Sequence, residues 1–550
     1  VSAPLRLLAL GGLGEFGANC LVVETPRDLV VVDAGLLFPG EDAFGIEAIA
    51  PDFGYVVERR SKLRGIVLTH AHEDHIGALP TLLARVRPPI WGSPFTLALA
   101  RERLVERGIE EPIDLRPFPA GEPLRLGEIS IRPIPVAHSV PHSLALAIGT
   151  PAGLLVHSGD FKIDRDPLDG TRTDLTRFEE LGREGVLLLL ADSTNADRPG
   201  RSGEEGSVRT GLGRMFDDAP GRVVLTTFSS HVARIATFAE LAAKRGRKLA
   251  LFGRSATTVV GIAERLGLTA LPRGNRAPAG DLLHPVPPDA AVLLPGCQAE
   301  PGSGLVRAAR GEIPSLRLST GDRIAFSSRI IPGREKPVGR LVDSLLRQGC
   351  EVRDTGTDGD LHASGHAGAD DLADLVRAVR PRNFLPIHGD LRRLRTHAEL
   401  AREALPGLET FVVENGAILE ADGRGGIAEL PERGPTGRLV LVGEGPREAG
   451  IELIRDRVRL LANGVVFALV PLGKKGLAAP PAVAVRGLAG TGDDQLAAEA
   501  RSALARELER TDHRGRSPAE WELLAARELK RWFRRERGLR PEIVAVALPL

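Results

Sequence analysis

The chain has 550 residues, room for two to four domains, with 72 basic residues against 72 acidic, 43% hydrophobic and 26% charged. The balanced charge excludes a globally basic nucleic-acid binder, so any polyanion-facing surface must be local, and the rest is ordinary for a soluble globular protein. Cys20, Cys297 and Cys350 are scattered and form no C-x-x-C, which excludes a disulfide framework; with no basic-then-apolar leader and no long uncharged apolar run, a soluble cytoplasmic protein without membrane contact is expected.

The first predicted strand, Leu5–Leu10, runs into Gly12-Leu13-Gly14-Glu15-Phe16-Gly17. The glycines have the spacing of a dinucleotide fingerprint, but that motif needs a helix next. Cys20–Glu24 and Leu29–Asp33 read as two more strands, so the glycines are expected to form a tight inter-strand loop. Asp33 ends its strand where a carboxylate can support a metal-bound histidine; a plain strand-end turn would read the same. Phe38 to Asp52 reads as a loop with several carboxylates, able to hold a structural cation.

Gly65–Leu68 is a short apolar strand, followed directly by Thr69-His70-Ala71-His72-Glu73-Asp74-His75-Ile76-Gly77. Four metal-competent side chains fall within six positions, in a chain with only 13 histidines. A polar turn that is merely rich in histidine is the bland alternative. Ile76, Leu79, Leu82 and Leu83 then start a helix-like pattern. A strand-to-helix turn can direct His70 and His72 at one metal, and Asp74 and His75 at a second.

Further candidate ligands stand after apolar strands: His138 after Ile129–Arg132, Asp160 after Leu154–His157, and Asp192 after Leu187–Ala191. From about Glu204 the texture changes to strand–helix alternation without metal-like clusters, as in Val223–Phe228, a helix from Ala233, Leu249–Phe252, Ala291–Leu294 and Asp322–Ser327. This predicts a doubly wound α/β insert. Histidines return in His362-Ala363-Ser364-Gly365-His366 and in Asn383–Asp390, which contains His388. Ligands on both sides of the insert make the first domain discontinuous. A turn-rich boundary near Gly434–Gly437 precedes a small βαβ-type unit with strands Val465–Val470, Ala482–Val485 and Ile543–Ala547. Its helices are expected around Asp494–Glu509 and Pro518–Arg535, the second starting well at Ser517-Pro518. The basic run Lys530–Arg535 is either a solvated face or a surface for RNA or a partner.

Taken together, one metal is assigned His70, His72 and His138, the other Asp74, His75 and His388, with Asp160 bridging. Imidazole and carboxylate ligands without thiolate suit Zn²⁺ or Mn²⁺. Two such ions about 3.5–4 Å apart serve in-line displacements by clamping both reacting oxygens.

His-x-His-x-Asp-His, then His, Asp and His, resembles the ligand order of the metallo-β-lactamase fold. Asp192 in Ala-Asp-Ser-Thr, His366 in Ser-Gly-His and His388 are similar to the signatures of its β-CASP nucleic-acid-cleaving branch. Within that branch the chain resembles the bacterial ribonuclease J family, through Leu10–Glu15, His70–His75, His138–Pro141, His157–Lys162 and His362–His366. The resemblance covers essentially the whole chain. It implies an α/β architecture: a discontinuous metallo-β-lactamase αββα sandwich (1–204 and 359–433), an inserted α/β β-CASP domain (205–358), a linker (434–440) and a small α+β C-terminal domain (441–550).

The resemblance also implies 5′-to-3′ exoribonuclease activity preferring a 5′ monophosphate, with some endonuclease activity, in mRNA decay and rRNA processing. Asp74, Asp192 and His366 would be catalytic. His362, Ser364, Gly365 and His366 would hold phosphate, with Ser229, Ser230, His231 and Arg234 of the insert opposite. Two divalent ions, single-stranded RNA, a homodimer or higher homo-oligomer and an RNA-degradation complex are the implied cofactors and partners. The chain departs from the family pattern where Asn then His are usual, having His231 and Ala233, and at Arg334, where Asn is usual. A small-ester or lactam hydrolase on the same fold and an RNA-binding scaffold are competing readings. The insert and His366 count against the first, the complete set of seven ligands against the second.

Overall fold

The computed structural model describes residues 4–39, 46–109, 111–120, 122–272, 285–331, 333–442, 448–449, 452–473, 476–488, 492–511 and 516–550. Of the acidic residues of the expected cation loop, Glu41 and Asp42 lie outside the described residues, while Glu47 and Asp52 flank a strand, Ala48–Pro51, where a loop was expected. The described chain falls into two compact units, one of residues 1–40 and 47–448, the other of 41–46 and 449–550.

The first unit is built on two stacked sheets whose strands alternate between two cores. In the eight-stranded sheet, Leu5–Gly11, Cys20–Glu24, Leu29–Val32 and Leu63–Val67 are consecutive neighbours. Leu8, Leu10, Val22, Val31 and Ile66 pack with helix residues such as Leu79, Leu82, Phe95 and Leu104. The intervening Leu7, Leu21, Val23, Val30 and Val32 pack instead on the second sheet, against Leu146, Ile148, Leu155, Leu188 and Leu190. The far face of that second, seven-stranded sheet buries Ala145, Val156, Leu189 and Phe384 against Phe178, Leu372, Leu375 and Val376 of its helices. Period-two patterning on both sheets thus produces four layers, helix, sheet, sheet and helix.

Strand direction places the ends that matter. Gly153–His157, Val186–Asp192 and Asn383–Ile387 are mutually parallel neighbours, and Leu29–Val32 is parallel to Leu63–Val67 in the other sheet. Val186–Asp192 is buried at every position, which explains its unbroken leucine run: a strand covered on both faces does not alternate. Asp33, Thr69, Asp160, Asp192 and His388 all follow or close the carboxyl ends of these strands, where open α/β sheets present their binding residues.

Between the second and third of these parallel strands lies an all-parallel five-stranded sheet. Its order is Leu249–Leu251, Ala291–Leu293, Val223–Thr226, Arg323–Phe326 and Glu351–Arg353. Its two faces bury separate cores, centred on Val223, Leu225 and Phe238, and on Val224, Ile324 and Leu345. This is the expected α/β insert. Residues 434–440 do not form the linker expected of them: Arg438–Leu441 is a strand paired antiparallel with Ala48–Pro51, because Val440 and Leu441 are buried there.

In the second unit Val465–Gly473 pairs antiparallel with Ala482–Arg486 and parallel with Glu542–Pro549. Helices Asp493–Glu509 and Pro518–Trp532 cover one sheet face through Leu496, Leu504, Trp521 and Leu529. Ser517 forms a capping box with Glu520, satisfying two otherwise orphaned N–H groups. A helix at Glu452–Asn463 escapes the sequence reading. Among the described residues no helix is long and apolar enough to cross a membrane.

Candidate metal centre

The centre begins at Asp33, whose backbone lies in the left-handed region at φ 62°. That conformation is costly for a residue bearing a Cβ. Its carboxylate accepts from Thr69 N at 2.8 Å and from Thr69 Oγ1 at 2.7 Å, and binds His75 Nδ1 at 2.8 Å. The Nδ1–H of His75 is thereby committed, and its Nε2 faces Asp160 and Asp74. Asn19 Nδ2 donates to the Asp74 carbonyl at 3.1 Å and fixes the same turn. Gly35 is required beside it, since a Cβ there would meet Asp74 O at 1.6 Å.

The expected ligands converge as two overlapping groups. His70, His72, His138 and Asp160 form one, and Asp74, His75, Asp160 and His388 the other, with ligand atoms within 4.8 Å of one another in each. His72 Nδ1 lies 3.1 Å from His70 Nε2 and 3.2 Å from His138 Nε2. His388 Nε2 lies 3.2 Å from Asp74 Oδ2, and its Nδ1 lies 3.0 Å from Asp160 Oδ1. His388 reaches this place because it too takes a left-handed turn, φ 55°, just past its strand.

Asp160 Oδ2 is buried without a hydrogen-bond partner. Around it stand His75 Nε2 at 3.3 Å, His70 Nε2 at 3.6 Å, and His138 Nε2 and His366 Nδ1 each at 3.9 Å. A buried carboxylate oxygen without a partner is expensive, and ring nitrogens crowded together add to that cost. A cation in each group removes both penalties. The donor set, imidazole and carboxylate without thiolate, fits a pair of divalent metal ions.

Protonation follows the same division. Burial, reinforced by neighbouring histidines, pushes His70 and His138 well below the usual imidazole range, and burial lowers His72 to about 4. Neutral imidazole is the ligating form. Around His75 and His388 burial also opposes charge, but Asp160 leads the nearby carboxylates in outweighing it, so both are raised.

A third group joins Asp160 and His388 to Asp192 and His366. His366 Nδ1 lies 2.8 Å from Asp192 Oδ2. The other Asp192 oxygen accepts from Thr194 N at 2.9 Å and Thr194 Oγ1 at 2.7 Å. Burial opposes the imidazolium of His366, but Asp192 and then Asp160 raise it.

The loop before His366 is clamped to the centre, Gly365 O lying 2.6 Å from His138 Nδ1. Ser364 Oγ accepts from Asn195 Nδ2 at 2.9 Å and His366 N at 3.2 Å. With both lone pairs filled, its O–H is left as a donor. Ser230 Oγ lies 3.2 Å from His72 Nε2. Ser229 Oγ lies 3.0 Å from Ser255 Oγ, and Ser255 lines a cavity of about 430 Å³ with Arg103, Arg254 and Arg307.

Two nominated phosphate contacts, Arg234 and His231, are placed otherwise. Arg234 is only 1% exposed; it donates to both Glu205 oxygens, Ser327 O, Ala363 O and His362 Nδ1. Its fork is spent on internal acceptors and cannot meet a phosphate. His231 is buried beside the same Glu205 at 3.3 Å, and His362 is held from behind by Arg234. Arg234 and His231 are thus committed to internal partners. Asn195 was missed by the sequence reading; an Asn three residues past a strand-end carboxylate carries no signal of its own.

Four families match successive parts of the chain: the metallo-beta-lactamase superfamily over residues 13–207, the beta-CASP domain of ribonuclease J over 220–345, the Zn-dependent metallo-hydrolase RNA specificity domain over 360–413 and the ribonuclease J C-terminal domain over 452–550. Ribonuclease J of Synechocystis sp. is 36% identical over 510 residues, 90% of this chain and 77% of that protein. Ribonuclease J of Mycolicibacterium smegmatis is 38% identical, over 87% and 85% of the two chains. The Corynebacterium glutamicum ribonuclease J is 38% identical over 84% of this chain, which spans 64% of that longer protein. Among solved structures, a protein of unknown function from Enterococcus faecalis V583 shares the fold at 17% identity and TM-score 0.52, covering 78% of this chain and all of that one.

Proposed function

The chain belongs to the ribonuclease J family and is a metal-dependent ribonuclease, a phosphodiester hydrolase, and we propose that it degrades single-stranded RNA from the 5′ end, preferring a 5′ monophosphate and retaining some internal cleavage. The observation that carries the directional reading is the Ser364–Gly365 loop. It presents a free hydroxyl proton and is fastened to His138 of the metal centre. A terminal phosphate held there lies beside the metals, so the chain enters end first.

His70, His72 and His138 would hold one ion, Asp74, His75 and His388 the other, and Asp160 both. The bound ions, Zn²⁺ or Mn²⁺, would supply Lewis-acid activation of water and neutralise phosphate charge. Asp33 and Asn19 orient the ligands. Asp192 favours the imidazolium of His366 and engages its Nδ1, so a proton on Nε2 could be given to the leaving oxygen as general acid. Asp74, Asp192 and His366 thus remain the residues nearest the chemistry, with Ser364, Gly365, Ser229 and Ser230 toward the substrate.

Domains at 1–204 with 359–433 and at 205–358 remain our division, with the last boundary moved from 441 to beyond the strand at Arg438–Leu441. Action in the cytoplasm, in mRNA decay and rRNA processing, as a homo-oligomer and within an RNA-degradation complex, completes the proposal. The test is 5′- and 3′-labelled single-stranded RNA with a 5′ monophosphate, incubated with Mn²⁺. Mononucleotide release from the 5′ label at early times supports the reading. A ladder shortening from the 3′ end overturns it.

A further inference from the structure

We propose that Arg329, together with Arg198, forms a second phosphate subsite that holds the RNA backbone beside the phosphate taken by Ser364. The inference rests on the ribonuclease reading and extends it to a residue of the insert. Arg329 Nη1 donates to Asn195 Oδ1 at 3.0 Å, and Asn195 Nδ2 donates on to Ser364 Oγ at 2.9 Å and His366 O at 3.1 Å. A single asparagine therefore spans from this guanidinium to the phosphate loop. Arg198 belongs to the same turn, its backbone N donating to Asn195 O at 2.8 Å.

The charge in this corner is unbalanced. Asp197 is shared by Arg393, at 3.2 Å through two nitrogens, and by Arg198 at 3.9 Å. The remaining Arg393 nitrogen is taken by Asp390 at 2.6 Å. Among the described residues Arg329 makes no ion pair, and the acceptor of its hydrogen bond is the neutral Asn195. Arg198 and Arg329 both keep solvent access. Burial, then Arg198, disfavour the Arg329 charge, with Asp197 opposing. In a chain of zero formal net charge, a local cation excess against the catalytic loop calls for an external anion. The substrate brings one at every nucleotide, and a guanidinium fork suits a phosphate.

The test is steady-state cleavage of a 5′-monophosphorylated single-stranded RNA across salt concentrations. Arg329→Ala should raise KM about tenfold and change kcat less than twofold. It should also flatten the dependence of log KM on log salt by about 0.7, the value of one phosphate contact to a single strand. Arg198→Ala/Arg329→Ala should flatten it further, and Arg329→Lys should restore most of the slope. Arg329→Gln can still donate to Asn195 but lacks charge, so it should behave like Arg329→Ala. If Arg329→Gln is wild-type in KM and slope, Arg329 only orients Asn195 and the subsite is overturned. An active wild type whose salt slope all these variants share also overturns the subsite alone. A wild type that does not cleave RNA overturns the ribonuclease reading and this one with it.

Discussion

Asp160 presents one oxygen to His388 and buries the other among four imidazoles without a hydrogen bond. Residues that merely support a ligand typically cost 10- to 100-fold when lost, so a ligand shared by both ions should cost more. Asp160→Ala is expected to lower turnover by more than about a hundredfold and to reduce bound metal below two ions per chain, measured by elemental analysis on folded protein. Two retained ions with near-normal turnover would remove the shared-ligand assignment. Ser364 supports a second expectation. If its O–H holds the 5′ phosphate, as we propose, it would make one charge-assisted bond of order 1.5–3 kcal/mol, so Ser364→Ala should narrow the rate difference between monophosphorylated and triphosphorylated RNA more than it slows internal cleavage. Matched oligonucleotides decide it; discrimination that survives intact places the 5′ pocket elsewhere. The candidate ligands were legible in sequence because histidine is rare in this chain and its clusters follow apolar strands. His231 and Arg234 were misread for a physical reason: residues beside a helix start can turn outward or inward. The choice was made by Glu205, nearly thirty positions upstream, whose burial no local pattern reveals.

That choice matters at the level of elements. Glu205 opens the helix Glu205–Arg214, Arg234 lies in Val232–Lys244, and Ala363 in the loop before His366, so one buried ion network ties two helices of the insert to that loop. Lys162, two residues after Asp160, lies 2.7 Å from Asp164 and 3.5 Å from Glu205. Removing one partner of a buried pair leaves the other charge stranded, typically costing 3–5 kcal/mol. Arg234→Met should therefore lower the unfolding free energy by about 3 kcal/mol in urea, and an unchanged midpoint would deny the network a structural role. Burial opposes the Glu205 charge, but Arg234, then His231 and Lys162, outweigh it and hold the carboxyl well below its ordinary 4.5. Because the folded value is the lower one, this stabilisation is complete above pH 4.5 and fades as pH falls through the folded value. Thermal melts from pH 3 to 7 should show a shallower acid limb for Glu205→Gln than for the wild type, though that variant is less stable at neutral pH. Equal acid limbs would refute the assignment. The insert itself was legible as strand–helix alternation, since parallel strands buried on both faces give unbroken apolar runs. The Arg438–Leu441 strand was not, because its partner lies about 390 positions earlier and its four residues carry no alternation long enough to read.

At the scale of the whole molecule, the architecture followed from ligands placed on both sides of an α/β stretch, whereas the second unit's surface could be judged only once its sheet was paired. Phe467 lies in register with Val544, and Leu469 with Val546, in the parallel pair Val465–Gly473 and Glu542–Pro549. All four point away from the helix-covered face, and between 38% and 47% of each is exposed. Alternation is strict here: Val466, Ala468 and Val470 are buried in the core beneath. Ala482 and Ala484 of the neighbouring strand, in register with Leu469 and Phe467, extend the patch. A contiguous apolar face on a sheet is more than the scattered exposure normal for a soluble surface, and marks a contact site. The expected homo-oligomer would use it, each copy's sheet covering another's. Val544→Lys/Val546→Lys places two charges on the exposed face and leaves the core residues untouched, so the fold should lose little. Sedimentation should then shift toward the mass of a single chain, with the melting temperature nearly unchanged and cleavage of short RNA retained, because the metal centre lies wholly within the first unit. If the double variant keeps the wild-type mass per particle, or if the wild type is already a single chain at micromolar concentration, this face does not join copies of the protein.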